Sequence, residues 1–252
     1  MIKISNLTVA FEGRTVIDGI DLTVEEGESL VLLGKNGSGK SVILKAVAGL
    51  LDYYGGNIRI NSHDTAAFFR DRDRGAAGGL DDFRLAYVFQ KGGLFDSMNV
   101  FDNVAFGLRR LGVSEDEAAA LVRDSLARVG LRGSDDKIPS ELSGGMQKRV
   151  GLARAVCMNP NIILYDDPTA GLDPILSDAI ADLILEIRSS LSASSITVTH
   201  DLKVAEKIAD RIALLYNGKI VFCGTGAEFM SGKDPHALQF IQGETEGPID
   251  MY

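Results

Sequence analysis

The chain has 252 residues and a formal net charge of −9, from 26 basic against 35 acidic side chains. That balance argues against a nucleic-acid face, which needs concentrated positive charge to displace counterions. The length suits one α/β domain, no stretch reaches the roughly 18 uncharged residues that span a bilayer, and no basic-then-apolar leader opens the chain, so a soluble cytoplasmic protein is expected.

Residues 2–9 (IKISNLTV) and 20–24 (IDLTV) alternate apolar with polar side chains, as half-buried strands do, and FEGRTVID between them carries a glycine turn. An antiparallel β layer follows from this. Residues 29–33 (SLVLL) read as a fully buried strand that runs into a glycine-rich loop and a helix over 41–51. Strands are expected at 58–60 (IRI) and 85–89 (LAYVF), and the polar segment 61–82, which contains GAAGG, reads as a surface loop. From 103 to 130 apolar residues recur at helical spacing with charges on the opposite face, which predicts a helical subdomain. The remainder returns to α/β: helix 147–157, strand 162–165, helix 176–190, strand 195–199, helix 202–209, strand 212–215 and a hairpin at Asn217-Gly218. No internal repeat is present. Cys157 and Cys223 lie far apart without metal-type spacing and are expected as reduced, partly buried thiols.

Gly34-Lys35-Asn36-Gly37-Ser38-Gly39-Lys40-Ser41 fits the phosphate-loop pattern GxxxxGK[ST], with a buried strand before it and a helix after it. Glycines let the backbone aim successive N–H groups at phosphate oxygens, and the helix dipole adds positive potential. Lys40 is expected to hold the β and γ phosphates. Ser41 Oγ suits Mg²⁺, which asks for one or two protein oxygens beside phosphates and water. Further on, Ile162-Ile163-Leu164-Tyr165-Asp166-Asp167 is an apolar strand ending in two carboxylates, a costly placement without a cation or proton to engage.

Between these two motifs, directly after the helical region, stands Leu142-Ser143-Gly144-Gly145-Met146-Gln147. With LSGGMQ in this order the chain resembles the ATP-binding cassette (ABC) ATPases from end to end. The resemblance implies a P-loop NTPase (RecA-like) α/β core with an antiparallel β layer and an inserted helical subdomain. The single ABC domain would comprise β layer and core over 1–90 and 158–224, helical subdomain over about 91–157 and a tail over 225–252. ATP and Mg²⁺ are the implied cofactors. Asp166 corresponds to the residue that reaches Mg²⁺. Gln90 corresponds to the glutamine that touches Mg²⁺ and the attacking water, and His200 to the histidine beside the γ-phosphate. Phe11 falls where the family stacks an aromatic on adenine, although a plain core phenylalanine fits its position equally. Gly171-Leu172-Asp173 resembles the loop that links the two sites of a dimer, while His63 and His236 match no family position and read as surface residues. Asp167 departs from the pattern, because the family carries glutamate there. Aspartate is shorter by about 1.5 Å of bond, and a misplacement of about 1 Å can cost on the order of a hundredfold in rate. Slow hydrolysis is therefore expected.

In the family Ser143, Gly144 and Gly145 contact the γ-phosphate held by the other copy, so a homodimer binding two ATP on an integral membrane permease is implied. Lys91 to Phe106 (KGGLFDSMNVFDNVAF) and Asp234 to Ile249 (DPHALQFIQGETEGPI) are similar to the corresponding stretches of Mla/Mce-type ATPases, which drive lipid movement between bacterial membranes. That similarity implies phospholipid transport from the cytoplasmic face of the inner membrane, with an MCE-domain protein and a small regulatory subunit as further candidate partners and no nucleic acid. Two alternatives stay open: the ATPase of a solute importer, for example for amino acids, and an ATP-binding switch that turns over slowly because of Asp167.

Overall fold

A computed structural model of the chain describes residues 1–68 and 84–250. In chain order the elements begin with β1 (Ile2–Phe11), β2 (Arg14–Val24), β3 (Ser29–Leu33), α1 (Lys40–Val47), β4 (Gly55–Ile60), β5 (His63–Asp64) and β6 (Leu85–Val88). Then come α2 (Val100–Arg110), α3 (Glu115–Arg128), α4 (Gly144–Val156), β7 (Ile162–Asp166), α5 (Pro174–Leu191) and β8 (Ser194–Val198). The chain closes with α6 (Leu202–Ile208), β9 (Arg211–Tyr216), β10 (Lys219–Thr225), α7 (Gly226–Met230) and α8 (Pro235–Gln242). Two units result, Met1–Phe83 with Ser194–Tyr252, and Arg84–Ala193.

In the first unit, apolar alternation along β1 buries Ile2, Ile4, Leu7 and Val9, and the strand lies inside an antiparallel sheet of order β2-β1-β4-β5. A second layer places β3 between β8 and β9, parallel to both, with β10 antiparallel on β9. All five residues of β3 are buried, which is why SLVLL shows no alternation. Asn217 (φ 45°) and Gly218 (φ 73°) make the tight turn from β9 to β10, since both residues must reach the left-handed region there. The expected loop over 61–82 opens on a short strand instead: β5 pairs with the end of β4, Ile60 opposite His63, and Thr65 Oγ1 donates to the Ile58 carbonyl at 3.2 Å. Residues 69–82 of that segment, with GAAGG, lie outside the described residues.

The second unit pairs β6 with β7 in parallel and adds α2 to α5. The expected helical stretch 103–130 is two helices, because the chain turns at Gly112 (φ 75°) and restarts at Ser114, whose hydroxyl accepts from the Glu117 N–H. Asn103 explains the order of the segment before α2. It is fully buried, its Nδ2 donates to the carbonyls of Phe95, Met98 and Asn99, and its Oδ1 accepts from the Phe95 N–H at 2.7 Å. One side chain thus engages four backbone groups of the segment that leads into α2.

Candidate functional site

The phosphate loop leaves the C-terminal end of β3, and Gly39 forms the N-cap of α1 with no side-chain hydrogen bond across the helix start. Gly39 has φ 104°, a conformation that favours glycine, and a Cβ there would stand 2.7 Å from Ile17 Cδ1 on β2, so the loop lies close to the β layer. Lys40 is buried and curls back over the loop, Nζ donating to the carbonyls of Gly34 at 2.7 Å and Lys35 at 3.0 Å. Ser38 Oγ is buried with no hydrogen-bond partner among the described residues, a costly state unless a ligand oxygen or water completes it. An uncapped helix start, a buried ammonium and an orphaned hydroxyl fit a phosphate chain.

His200 is exposed and follows β8, whose register on β3 brings the two strand ends together: the Thr199 N–H donates to the Leu32 carbonyl at 3.3 Å. His200 and the phosphate loop therefore leave the same edge of the first unit's parallel sheet, the edge where α/β folds place ligands. Phe11 lies at the tip of β1 and is 42% exposed, so it is not a core residue. Lys35 turns its ammonium away from the loop, to the Asp250 carbonyl at 3.1 Å. Asn36 and Gly37 complete the turn of the loop, Gly37 with φ 79°.

In the second unit β7 ends on Asp166, and Asp166 and Asp167 are each only 8% exposed. Tyr87 on β6 donates its hydroxyl to Asp166 Oδ2 at 2.8 Å. Burial, then the Asp166 charge and this bond, keep the Tyr87 phenol protonated far above its ordinary range. The phenol therefore orients one carboxylate oxygen without competing as an anion. The acidic, hydrogen-bonded strand end suits a hard cation such as Mg²⁺. Asp167 adopts φ 46°, a left-handed backbone that Asp accepts more readily than most residues. Gln90 is exposed in the turn after β6, and Arg154 on α4 fixes that turn by donating to the carbonyls of Gly93 at 2.7 Å and Gly92 at 3.0 Å. Gly151 lets α4 approach, since a Cβ there would stand 2.9 Å from the Gly92 carbonyl oxygen.

LSGGMQ is itself a helix start. Ser143 caps α4, accepting from the Met146 N–H at 3.3 Å, and Gly144 and Gly145 occupy the first turn. Glycine is a weaker helix former than alanine; a Cβ on Gly144 would meet nothing within 4 Å, whereas Gly145 is buried against Leu176. Ser143 and Gly144 are exposed, and so is Ile175 at 82% on the neighbouring start of α5. Asp173 serves as the N-cap of α5, accepting from the N–H groups of Ile175 and Leu176.

Tyr87 and Arg154 were not among the residues singled out from the sequence, because each acts through a strand register or a helix approach that no local pattern announces. The cysteines divide: Cys157 is buried, with its thiol pushed up to about 12 by burial, whereas Cys223 is exposed.

A parallel strand that delivers a glycine loop to an uncapped helix start defines a P-loop nucleotide-binding protein. Residues 17–170 match the ABC transporter family, and the chain belongs to it. It is therefore an ATP-binding and ATP-hydrolysing subunit. "Probable ribonucleotide transport ATP-binding protein mkl" of Mycobacterium tuberculosis is 38% identical over 253 residues, covering 99% of this chain and 68% of that protein. "Intermembrane phospholipid transport system ATP-binding protein MlaF" of Escherichia coli (strain K12) is 36% identical over 237 residues, covering 94% of this chain and 86% of that protein. The dimeric post-hydrolysis structure of the ATP-binding cassette MJ0796 bound to ADP and Pi is similar with a TM-score of 0.78 at 27% identity, covering 89% of this chain and 98% of that one. No helix among the described residues is long and apolar enough to cross a membrane.

Proposed function

We propose that two copies of this chain bind ATP and power phospholipid movement through an integral membrane permease, from the cytoplasmic face of the inner membrane and in concert with an MCE-domain protein. The observation that carries this reading is that both stretches similar to Mla/Mce-type ATPases are structural devices. Asn103 orders the segment after Gln90. In the tail, Asp234 caps α8, and buried Gln239 donates to the Ile249 carbonyl at 2.8 Å while accepting from the Ile249 N–H. The phospholipid reading is further supported by the name of the MlaF relative.

A groove of about 450 Å³ in the second unit, lined by Tyr87, Phe89, Phe95, Phe106, Arg154 and Met158, supports a permease helix as its occupant. Phe89 and Phe95 are each 40% exposed there, so the groove offers aromatic side chains to an apolar helix. The exposed helix start at Ser143 and exposed Ile175 support a second copy as the partner of that face.

In this reading the loop from Gly34 to Ser41 binds ATP, with Lys40 on the β and γ phosphates. Ser41, Gln90 and Asp166 are the residues that would hold Mg²⁺, which supplies charge neutralisation at the phosphate oxygens. Asp167 orients or deprotonates the attacking water, and His200 steadies the γ-phosphate. Phe11 supplies the stacking surface for adenine.

Asp167→Glu is expected to raise the single-turnover hydrolysis rate by about tenfold, because the added methylene restores reach that is worth up to about a hundredfold and gives back part of it as strain at a left-handed position. An unchanged or lower rate would mean that carboxylate length does not limit turnover. For the transport reading, the test is purification of the chain from its own membranes with its partners. A permease with an MCE-domain protein and bound phospholipid supports it, and a permease with a solute-binding protein sinks it in favour of an importer.

A further inference from the structure

Lys148 lies on the first turns of α4, the helix that LSGGMQ opens, and is 8% exposed. A buried ammonium is costly unless its donors and its charge are engaged. Its Nζ donates to the Pro168 carbonyl at 2.9 Å, in a buried bond. Burial pulls the Lys148 pKa below the usual lysine range, and the Asp167 charge acts in the opposite direction. Pro168 follows Asp167 directly, and the chain then turns, with the Ala170 N–H donating to the Asp167 carbonyl and the Leu172 N–H to the Thr169 carbonyl, both at 3.1 Å.

We infer that Lys148 is a positioning residue for Asp167, holding the turn behind that carboxylate from the same helix whose start carries Ser143, Gly144 and Gly145. The short side chain is the reason such a brace matters. A glutamate can correct its reach through an extra rotatable bond, whereas an aspartate carboxylate, with one torsion fewer, follows its backbone more closely. Here that backbone is left-handed at φ 46°, a conformation that persists only when neighbouring contacts hold it. Lys148 is one such contact, and it makes the position of Asp167 depend on the position of α4. A phosphate arriving at the start of α4 from the second copy then acts on Asp167 along the helix, through one hydrogen bond. The inference rests on the reading of Asp167 as the hydrolytic carboxylate.

The test compares wild type with Lys148→Met and Lys148→Arg in the full-length chain. Lys148→Met is expected to lower kcat by about ten- to a hundredfold, as a misplacement of about 1 Å would, while KM for ATP changes by less than about twofold. Without nucleotide, the amides of Ala170 and Leu172 should exchange hydrogen faster than in wild type. Lys148→Arg, which keeps the charge and the donors, should restore most of both. Wild-type exchange at Ala170 and Leu172 in Lys148→Met overturns the proposal, as does a wild-type kcat. If the Met variant does not fold, Lys148→Gln is measured in its place with the same criteria. Asp167→Asn separates the two levels: wild-type hydrolysis in that variant overturns the reading of Asp167 itself, whereas the exchange rates judge Lys148 independently.

Discussion

Lys40→Ala is expected to lower ATP affinity by about a hundredfold to a thousandfold, because hydrogen bonds from a charged donor contribute about 1.5–3 kcal/mol each and in the proposed site the side chain would serve more than one phosphate. The structure adds a second source of loss. Lys40 Nζ also braces the loop through the carbonyls of Gly34 and Lys35, so alanine removes both the cation and the brace that keeps the loop folded. A fluorescent ATP analogue titrated against the two proteins measures the effect, and thermal unfolding without nucleotide measures the brace separately. Affinity within about threefold of wild type would mean that the loop backbone and helix start carry the site alone.

Ser143→Arg leaves ATP binding by the single chain intact and abolishes ATP-driven pairing, with hydrolysis falling by about a hundredfold or more, since removing one preorganised donor already costs on the order of that factor. Ser143 is exposed, so the larger side chain fits in the isolated subunit. The local cost is the lost cap to the Met146 N–H, about 1 kcal/mol of helix stability. A guanidinium at the start of α4 would then occupy the face left bare by Gly144. Light scattering with a non-hydrolysable ATP analogue reads the pairing. Normal hydrolysis and normal pairing in this variant would overturn the shared site. Together the two variants separate holding a nucleotide from sharing it.

The contrast between the motifs and their surroundings explains what could be read in advance. The phosphate loop was legible because a run of glycines before Lys40 is a local solution to a local problem, the close approach of backbone to phosphate. The pair Asn217-Gly218 was legible for the same reason, as two left-handed residues between two strands. Helix starts were less so: α4 begins at Gly144, three residues before the helical pattern does, because its first turn is built of glycines that carry no apolar signal. The tail showed no regular element to sequence reading, yet it folds as α7 and α8, and Gln239 there ties down Ile249. That bond joins residues with no periodic relation.

By itself, then, the sequence determined the α/β class, the order of the nucleotide motifs, the family they mark and the anomaly at Asp167, since each resides in a short run whose chemistry is independent of distant packing. Only the tertiary structure decided how those runs are held. Tyr87 reaches Asp166 because β6 and β7 pair in one particular register. Arg154 fixes the turn after Gln90 because Gly151 lets α4 come close. Lys148 meets Pro168 across twenty residues of chain because the packing of α4 against the turn after β7 buries its ammonium beside that carbonyl. Register, approach and burial are properties of the whole packed core, so no window of sequence contains them.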